Sequence, residues 1–346
     1  VIGSEPYLYG GMEEAFPALR DLILRKGHKV APRGEPTTEL LACSFGVADA
    51  VRRGVPVGIG RKVGVKMMAI DGTGNLAGAS YPDVAIGLAG VMDRFADDLP
   101  GPWPDVADGL RREDVEAILE RQPNLDYGNR FFQGAYGPRI GDQLERVEDQ
   151  LRLDPDTRQA VVSLWSETDR NPVWKDRPCT TEFQMMLRGG RLDMFVFMRA
   201  NDLWTGTCYD VFQFGQVQAA MANVLGVPWG NYHHYATSLH IYDREVEKIK
   251  ELRRWTPERW VDKDPDAPRA LRRQKLVPAA PAVHNSRESW GPDWDDVEPG
   301  HYKSWGHVRR RFREMLESAR HGWLWAPGNA VEEWYWSVLQ TGRAPE

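Results

Sequence analysis

The chain predicts an α+β fold, a mixed sheet backed by helices, and three observations carry that prediction. Apolar residues first recur at helical spacing. The pattern then changes to short, strand-like runs after about residue 159. A long apolar helix and one more strand run follow.

Taken in order, "MEEAFPALRDLILRKG" holds apolar residues on one helical face and stops at Gly27. "KVAPRGEPTTE" is rich in turn formers and reads as a loop, and "LLACSFGVA" reads as a strand. "VGVKMMAIDGTGNLAGAS" reads as a buried helix whose glycines mark close packing or a ligand. Residues 97–128 hold many Pro and Asp and read as loops around one short helix, "REDVEAILER". "RIGDQLERVEDQL" places Ile140, Leu144, Val147 and Leu151 on one helical face. "QAVVSLW", "TEFQMML" and "RLDMFVFMR" are strands, the last two joined through "RGG" as a hairpin. "VFQFGQVQAAMANVLG" is a helix ending at Gly226, and "YHHYATSLHIY" is a further strand.

After Tyr242 the character changes. Nine of the fourteen tryptophans lie there, with Pro-rich linkers and a basic helix, "HVRRRFREMLESAR", that reads as a solvated face. The expected organisation is a catalytic domain over 13–245 and a Trp-rich, helical C-terminal extension over 246–346, packed on or beside it.

Composition narrows the class. Hydrophobic residues make up 42% of the 346, enough for a sizeable core. A formal net charge of −6 argues against a nucleic-acid polyanion as the main partner. No apolar run is long enough to span a bilayer, and the first residues show no signal-peptide pattern. Three cysteines, Cys43, Cys179 and Cys208, are too few for a disulfide framework and lack metal-ligand spacing. His233 and His234 form no ligand pattern and read as strand or surface residues, so no metal is expected. The expectation is a reduced, cytoplasmic protein.

Chemistry concentrates around "DRPCTTEFQ". A lone Cys beside a strand is usually a small buried hydrophobe. Cys179, however, follows a Pro and lies near Lys175 and Arg177, cations expected to favour the thiolate. Arg199 follows twenty residues on, and His240 and Tyr242 share one face of a strand. A thiol, several arginines and a His/Tyr pair suit attack on an electrophile attached to an anion.

These segments resemble the thymidylate synthase and pyrimidine hydroxymethylase family. Its Pro-Cys followed by Gln is matched by Cys179 and Gln184. Its phosphate- and base-binding run is matched by "RANDLWTGTCYD", with Arg199, Ala200, Asp202, Gly206 and Asp210 at the family spacing. Its ribose-binding His-x-Tyr is matched by His240 and Tyr242. "DPDTRQAVVSLW" resembles the segment whose arginine reaches the neighbouring subunit's phosphate, which assigns that role to Arg158 and implies a homodimer. "GAYG" supplies the folate-side Tyr136, "APRGEPT" the phosphate ligand Arg33, and "MAIDGTGNLAG" places Asp71 where the family has its acid/base Glu. The resemblance covers about residues 13–245. It implies addition of the Cys179 thiolate to C6 of a pyrimidine nucleotide, then attack by C5 on the one-carbon unit of 5,10-methylenetetrahydrofolate. Hydride would give a methyl product, and water a hydroxymethyl product.

The departures set the finer expectation. The synthases end the base-reading run with Asn, which answers the N3–H and O4 of uracil. Asp210 answers the N3 and N4 amino group of cytosine when one proton is shared with N3, and this takes precedence over the helix-capping role that Asp often fills. Ala200 replaces the usual Ser and opens room for a ribose hydroxyl. The folate-side Trp has no counterpart between Trp103 and Trp165, which favours water at the methylene. Gln159 replaces the second arginine of the paired segment, and Asp71 is one methylene shorter than Glu. The resemblance therefore narrows to cytidylate hydroxymethylases, in particular those of the mildiomycin type of nucleoside-antibiotic pathway. The expected activity is transfer of a hydroxymethyl group to C5 of CMP. The alternatives are a dCMP 5-hydroxymethylase, a divergent thymidylate synthase and a non-catalytic nucleotide- or folate-binding protein.

Overall fold

A computed structural model describes residues 7–56, 58–79, 97–98, 130–131, 134–170, 176–252, 297–321, 333–335 and 337. The strands are β1 (Tyr7–Tyr9), β2 (His28–Val30), β3 (Thr37–Val47), β4 (Asp97–Asp98), β5 (Arg130–Phe131), β6 (Val161–Ser163), β7 (Thr180–Arg188), β8 (Arg191–Met198), β9 (Asn201–Asp202) and β10 (Trp229–Tyr242). The helices are α1 (Met12–Lys26), α2 (Ala50–Arg53), α3 (Val65–Ala77), α4 (Tyr136–Ile140), α5 (Gln143–Leu153), α6 (Thr207–Leu225), α7 (Val246–Lys250) and α8 (Trp305–His321).

The main sheet is mixed, in the order β1-β3-β10-β8-β7-β6, with β2 added beside β3 and β9 beside β10. Strand β10 is its spine, running antiparallel to β3 and parallel to β8. The β7–β8 hairpin turns through Gly189 and Gly190 at φ 56° and 76°, two successive left-handed residues that match the twist of the strands. On β8 the alternation is complete: Leu192, Met194, Val196 and Met198 point into the core. The opposite face carries Phe195 stacked on His233 at 4.6 Å and Phe197 against Tyr235 at 6.2 Å.

The inner face is covered by α6, whose residues are nearly all buried, and α3 packs beside it. Helix α6 stops at Gly226, in the left-handed conformation at φ 71°, whose N–H closes back onto the Ala222 and Asn223 carbonyls. The single helix expected from Ile140 to Leu151 is broken. Gly141, at φ 31°, ends α4, and α5 starts afresh two residues later, still burying Leu144, Val147 and Leu151. The segment "REDVEAILER" lies outside the described residues.

The basic helix α8 is not a solvated face. Val308, Phe312, Met315 and Leu316 are buried, and Glu148 of α5 accepts the N–H of Trp305 at 2.7 Å, satisfying a donor at the helix start. Arg313 donates to the Ala77 carbonyl at 2.8 Å, and Arg309 pairs with Glu145 at 2.8 Å. Asn223 anchors the preceding turn, donating to Glu298 O at 2.9 Å and accepting from Tyr302 N at 3.2 Å. Tyr335 lies against Gly72, where a Cβ would run into its ring, so α3 needs glycine there. Among the described residues no helix is long and apolar enough to cross a membrane.

Candidate active site

Cys179 sits immediately before β7, half-buried, where the sheet meets α4 and α6. Arg199, just beyond β8, is brought back to it because Arg199 N donates to Cys179 O at 2.9 Å across the hairpin. The Arg199 guanidinium donates to Pro178 O at 2.9 Å, lies 3.8 Å from Cys179 Sγ and faces the Trp165 ring at 5.6 Å. It is otherwise exposed.

The sequence expectation that neighbouring cations favour the thiolate is overturned. Burial pushes the Cys179 thiol up from its usual range. Arg199 pulls the other way, Asp210 and Asp176 push it further up, and Arg33 pulls it down. The cations with the largest effect include Arg199 and the distant Arg33. Arg177 contributes its carbonyl, which accepts from Arg199 at 3.3 Å, and Lys175 lies outside the described residues. The resting thiol is therefore protonated at neutral pH.

Asp210 occupies the first turn of α6 but does not cap it. The cap position is Gly206, and the Asp210 side chain points into the buried interior. Asn201 Nδ2 donates to its Oδ2 at 2.7 Å, and Gln213 Nε2 donates to its Oδ1 at 2.9 Å. Burial pushes the carboxyl up to about 7, against the lowering pull of those two amides and with a further rise from Asp202. A proton on Asp210 thus removes one of the charges that hold the Cys179 thiol protonated.

Tyr136, the first residue of α4, is buried and joins this centre. Its hydroxyl accepts from Thr180 N at 3.1 Å and Thr180 Oγ1 at 3.0 Å, one residue beyond the thiol. Burial and the Asp210 and Cys179 charges push its phenol well above the ordinary range. Tyr136 also lines a small cleft with Asp71 and Asn75 of α3 and Ala79 beyond it. Asp71 is buried there, on the cleft wall opposite α4.

The other expected residues are more dispersed. Asp202 forms a local turn, accepting from Trp204 N at 2.8 Å, and lies opposite His240 in the β9–β10 pairing. His240 and Tyr242 stand edge to face at 5.2 Å, and Tyr242 is covered by Arg244 at 4.1 Å. Ala200 is half-buried between Arg199 and Asn201. Arg33 is exposed in a tight turn at φ 54°. Arg158 is exposed beside β6, and its carbonyl accepts from Gln184 Nε2 at 2.6 Å. No described contact brings the Arg158 guanidinium to Cys179. His234 is no surface residue: it is buried, bonded through Nδ1 to the Tyr232 hydroxyl at 3.1 Å, and burial pushes it down to about 3. Among the described residues no group of His, Cys, Asp or Glu is placed to hold a metal.

Sequence reasoning missed Asn201 and Gln213. The available signal was an amide three residues beyond Asp210 on the same helix and another in the motif itself.

A nucleophile, an arginine beside it and a buried carboxyl are thus gathered on one mixed sheet of an α+β fold. Residues 120–262 match the family model described as thymidylate synthase. Among curated proteins, the chain is similar to the deoxyuridylate hydroxymethyltransferase of Bacillus phage SP01, 30% identical over 241 residues, covering 68% of this chain and 59% of that protein. It is also similar to the thymidylate synthase of Bacillus licheniformis, 29% identical over 174 residues, covering 45% and 62%. The matches thus span about three fifths of the length of these two relatives.

Proposed function

We infer that the chain transfers a one-carbon unit from 5,10-methylenetetrahydrofolate to C5 of a pyrimidine nucleotide, and that the product is 5-hydroxymethyl-CMP. The observation that carries this is the buried Asp210 carboxyl, pushed up to about 7 by its burial and within electrostatic reach of Cys179. A carboxyl with one proton answers N3 and the N4 amino group of cytosine together. Sharing that proton with N3 makes C6 more electrophilic at the moment Cys179 Sγ adds to it.

Arg199 and Arg33 suit the phosphate, since neither has a carboxylate partner among the described residues and both act on the thiol electrostatically. Addition of Cys179 to C6 makes C5 nucleophilic, and C5 then bonds to the one-carbon unit that the folate supplies. Loss of the C5 proton and of the folate leaves an exocyclic methylene, to which water adds as the Cys179 thiolate leaves C6, restoring the C5–C6 double bond and freeing the product. The cleft at Asp71, Asn75 and Tyr136 is lined with the polar groups a water needs. Ala200 leaves room for the ribose hydroxyl.

The reading includes a homodimer. Across the outer sheet face, Leu8, Gly46, His233, Phe195, Gln184 and Val161 lie in one register row. Leu8 is 52% exposed and Val161 37%, at the two ends of a row with stacked aromatics between. A second copy would cover this face and bring Arg158, at its edge, toward the partner's phosphate site.

A second reading has a specific motive. The phage relative is named for deoxyuridylate, and a protonated carboxyl can also accept N3–H and donate to O4 of uracil. Incubation with methylenetetrahydrofolate and CMP, dCMP or dUMP separately, with mass measurement of each nucleotide, tests both. A hydroxymethyl adduct on CMP, less on dCMP and none on dUMP is the expected result. A hydroxymethyl or methyl adduct chiefly on dUMP would overturn the cytosine reading.

A further inference from the structure

The grip on Asp210 is more specific than its burial requires. Each amide that holds the carboxyl is itself held from behind. The Thr207 hydroxyl donates to Asn201 Oδ1 at 2.7 Å, and Asn75 Nδ2 of α3 donates to Gln213 Oε1 at 2.8 Å. All five residues, Asn75, Asn201, Thr207, Asp210 and Gln213, are buried.

A side-chain amide has one carbonyl and one NH2. With both carbonyls engaged by donors from behind, both amides turn their NH2 toward residue 210. The clamp therefore offers two donors and no acceptor. A carboxyl meets that demand with one lone pair on each oxygen and keeps another on each for a base. A carboxamide at the same position would set NH2 against NH2 on one side, a buried mismatch with no water to relieve it.

We propose that Asn201 and Gln213 are specificity-determining positions, whose paired donors hold a carboxyl and exclude a carboxamide at the residue that reads the pyrimidine edge. This rests on the reading of Asp210 as the base reader. Neither residue touches the base; both act through Asp210, so they are positioning residues. Base choice is then written into the second turn of α6 and into α3, and not into residue 210 alone.

The test is an exchange. Asp210→Asn, Gln213→Glu and the double variant Asp210→Asn/Gln213→Glu are compared with wild type in melting temperature and in affinity for CMP, dCMP and dUMP by calorimetry. The double variant swaps carboxyl and carboxamide with overall charge unchanged. The carboxylate then at position 213 accepts from Asn75 and from the new amide at position 210. Each single variant is expected to melt lower than the double and to bind every nucleotide roughly 10- to 100-fold more weakly than wild type. The double is expected to recover most of that loss for one base. Additive losses in the double would overturn the clamp.

The two readings fail separately. Wild type that binds none of the three nucleotides sinks the base-reading role, while the coupling in melting temperature still decides the clamp. Where a single variant does not fold, Gln213→Met gives the same decision by pH. It removes one donor that favours the charged carboxyl, so the pH above which nucleotide affinity falls moves up. An unmoved limb would mean Gln213 is structural only.

Discussion

The two ends of the proposed nucleotide site are built differently. At the base end, Asp210 is buried and tied to Asn201 and Gln213, which are tied in turn to Thr207 and Asn75. At the phosphate end, Arg33, Arg158 and Arg199 are exposed and have no carboxylate partner among the described residues. A preorganised, desolvated end can discriminate between bases, because a wrong hydrogen-bond pattern leaves groups unpaired where water cannot reach. An open cationic end attracts any nucleotide phosphate and discriminates little. On the proposed reading, selection sits at the base and capture at the phosphate.

In the proposed site Cys179 bonds to C6 of the base, away from the pyrimidine edge and the phosphate that the two ends hold. Cys179→Ala should break the pairing of capture and chemistry most cleanly. Turnover should fall by more than about a thousandfold, because no other group can supply the bond to C6. Affinity for the nucleotide should stay within a few-fold of wild type by calorimetry. Turnover that survives would remove the thiol from the mechanism.

The phosphate end should show a graded, salt-dependent response. Arg199→Ala should weaken nucleotide binding by about 10- to 100-fold, in line with loss of a charge-assisted contact of about 1.5–3 kcal/mol. The matching nucleoside, which lacks the phosphate, should barely notice. Arg158 sharpens the comparison because its site is expected to lie in the partner. Mixing Arg158→Ala with Cys179→Ala at equal amounts should restore about a quarter of wild-type turnover at low nucleotide, since half the dimers are hybrid and each has one intact site. No recovery in the mixture would place Arg158 in its own subunit's site or outside any site.

The same contrast explains what the sequence showed in advance. The run from Arg199 to Asp210 is contiguous, so its spacing survives in one line of residues, and the strands and α6 around it follow from periodicity. The clamp does not, because the partner of Gln213 is Asn75, 138 positions away on α3. Only the packing of two helices reveals it. The thiol is hard to read for a related reason: burial, Arg33 and Asp210 act on it from elsewhere in the fold, and adjacency in sequence does not show them. Helix α8 was read by its arginines, although Val308, Phe312 and Met315 form the stripe that docks it. Ile140 was joined to α5 because its spacing fits, and Gly141 breaks the helix regardless.

The smallest expected effects test the electrostatics between the two ends without any turnover. The rate of Cys179 alkylation against pH reports its thiolate, and Cys43 and Cys208 stay silent near neutrality because burial pushes both up to about 11. Arg199 is the strongest charge lowering the thiol, Asp210 the strongest raising it, and Arg33 acts less than either. Arg199→Ala should therefore move the alkylation midpoint up by the most. Asp210→Asn should move it down by less, and Arg33→Ala up by least. The signs follow from charge alone: a lost cation disfavours the thiolate, and a lost carboxylate favours it. An Asp210→Asn midpoint that does not move would mean the base end does not reach the thiol. The proton on Asp210 would then serve base reading only and give no help to attack at C6.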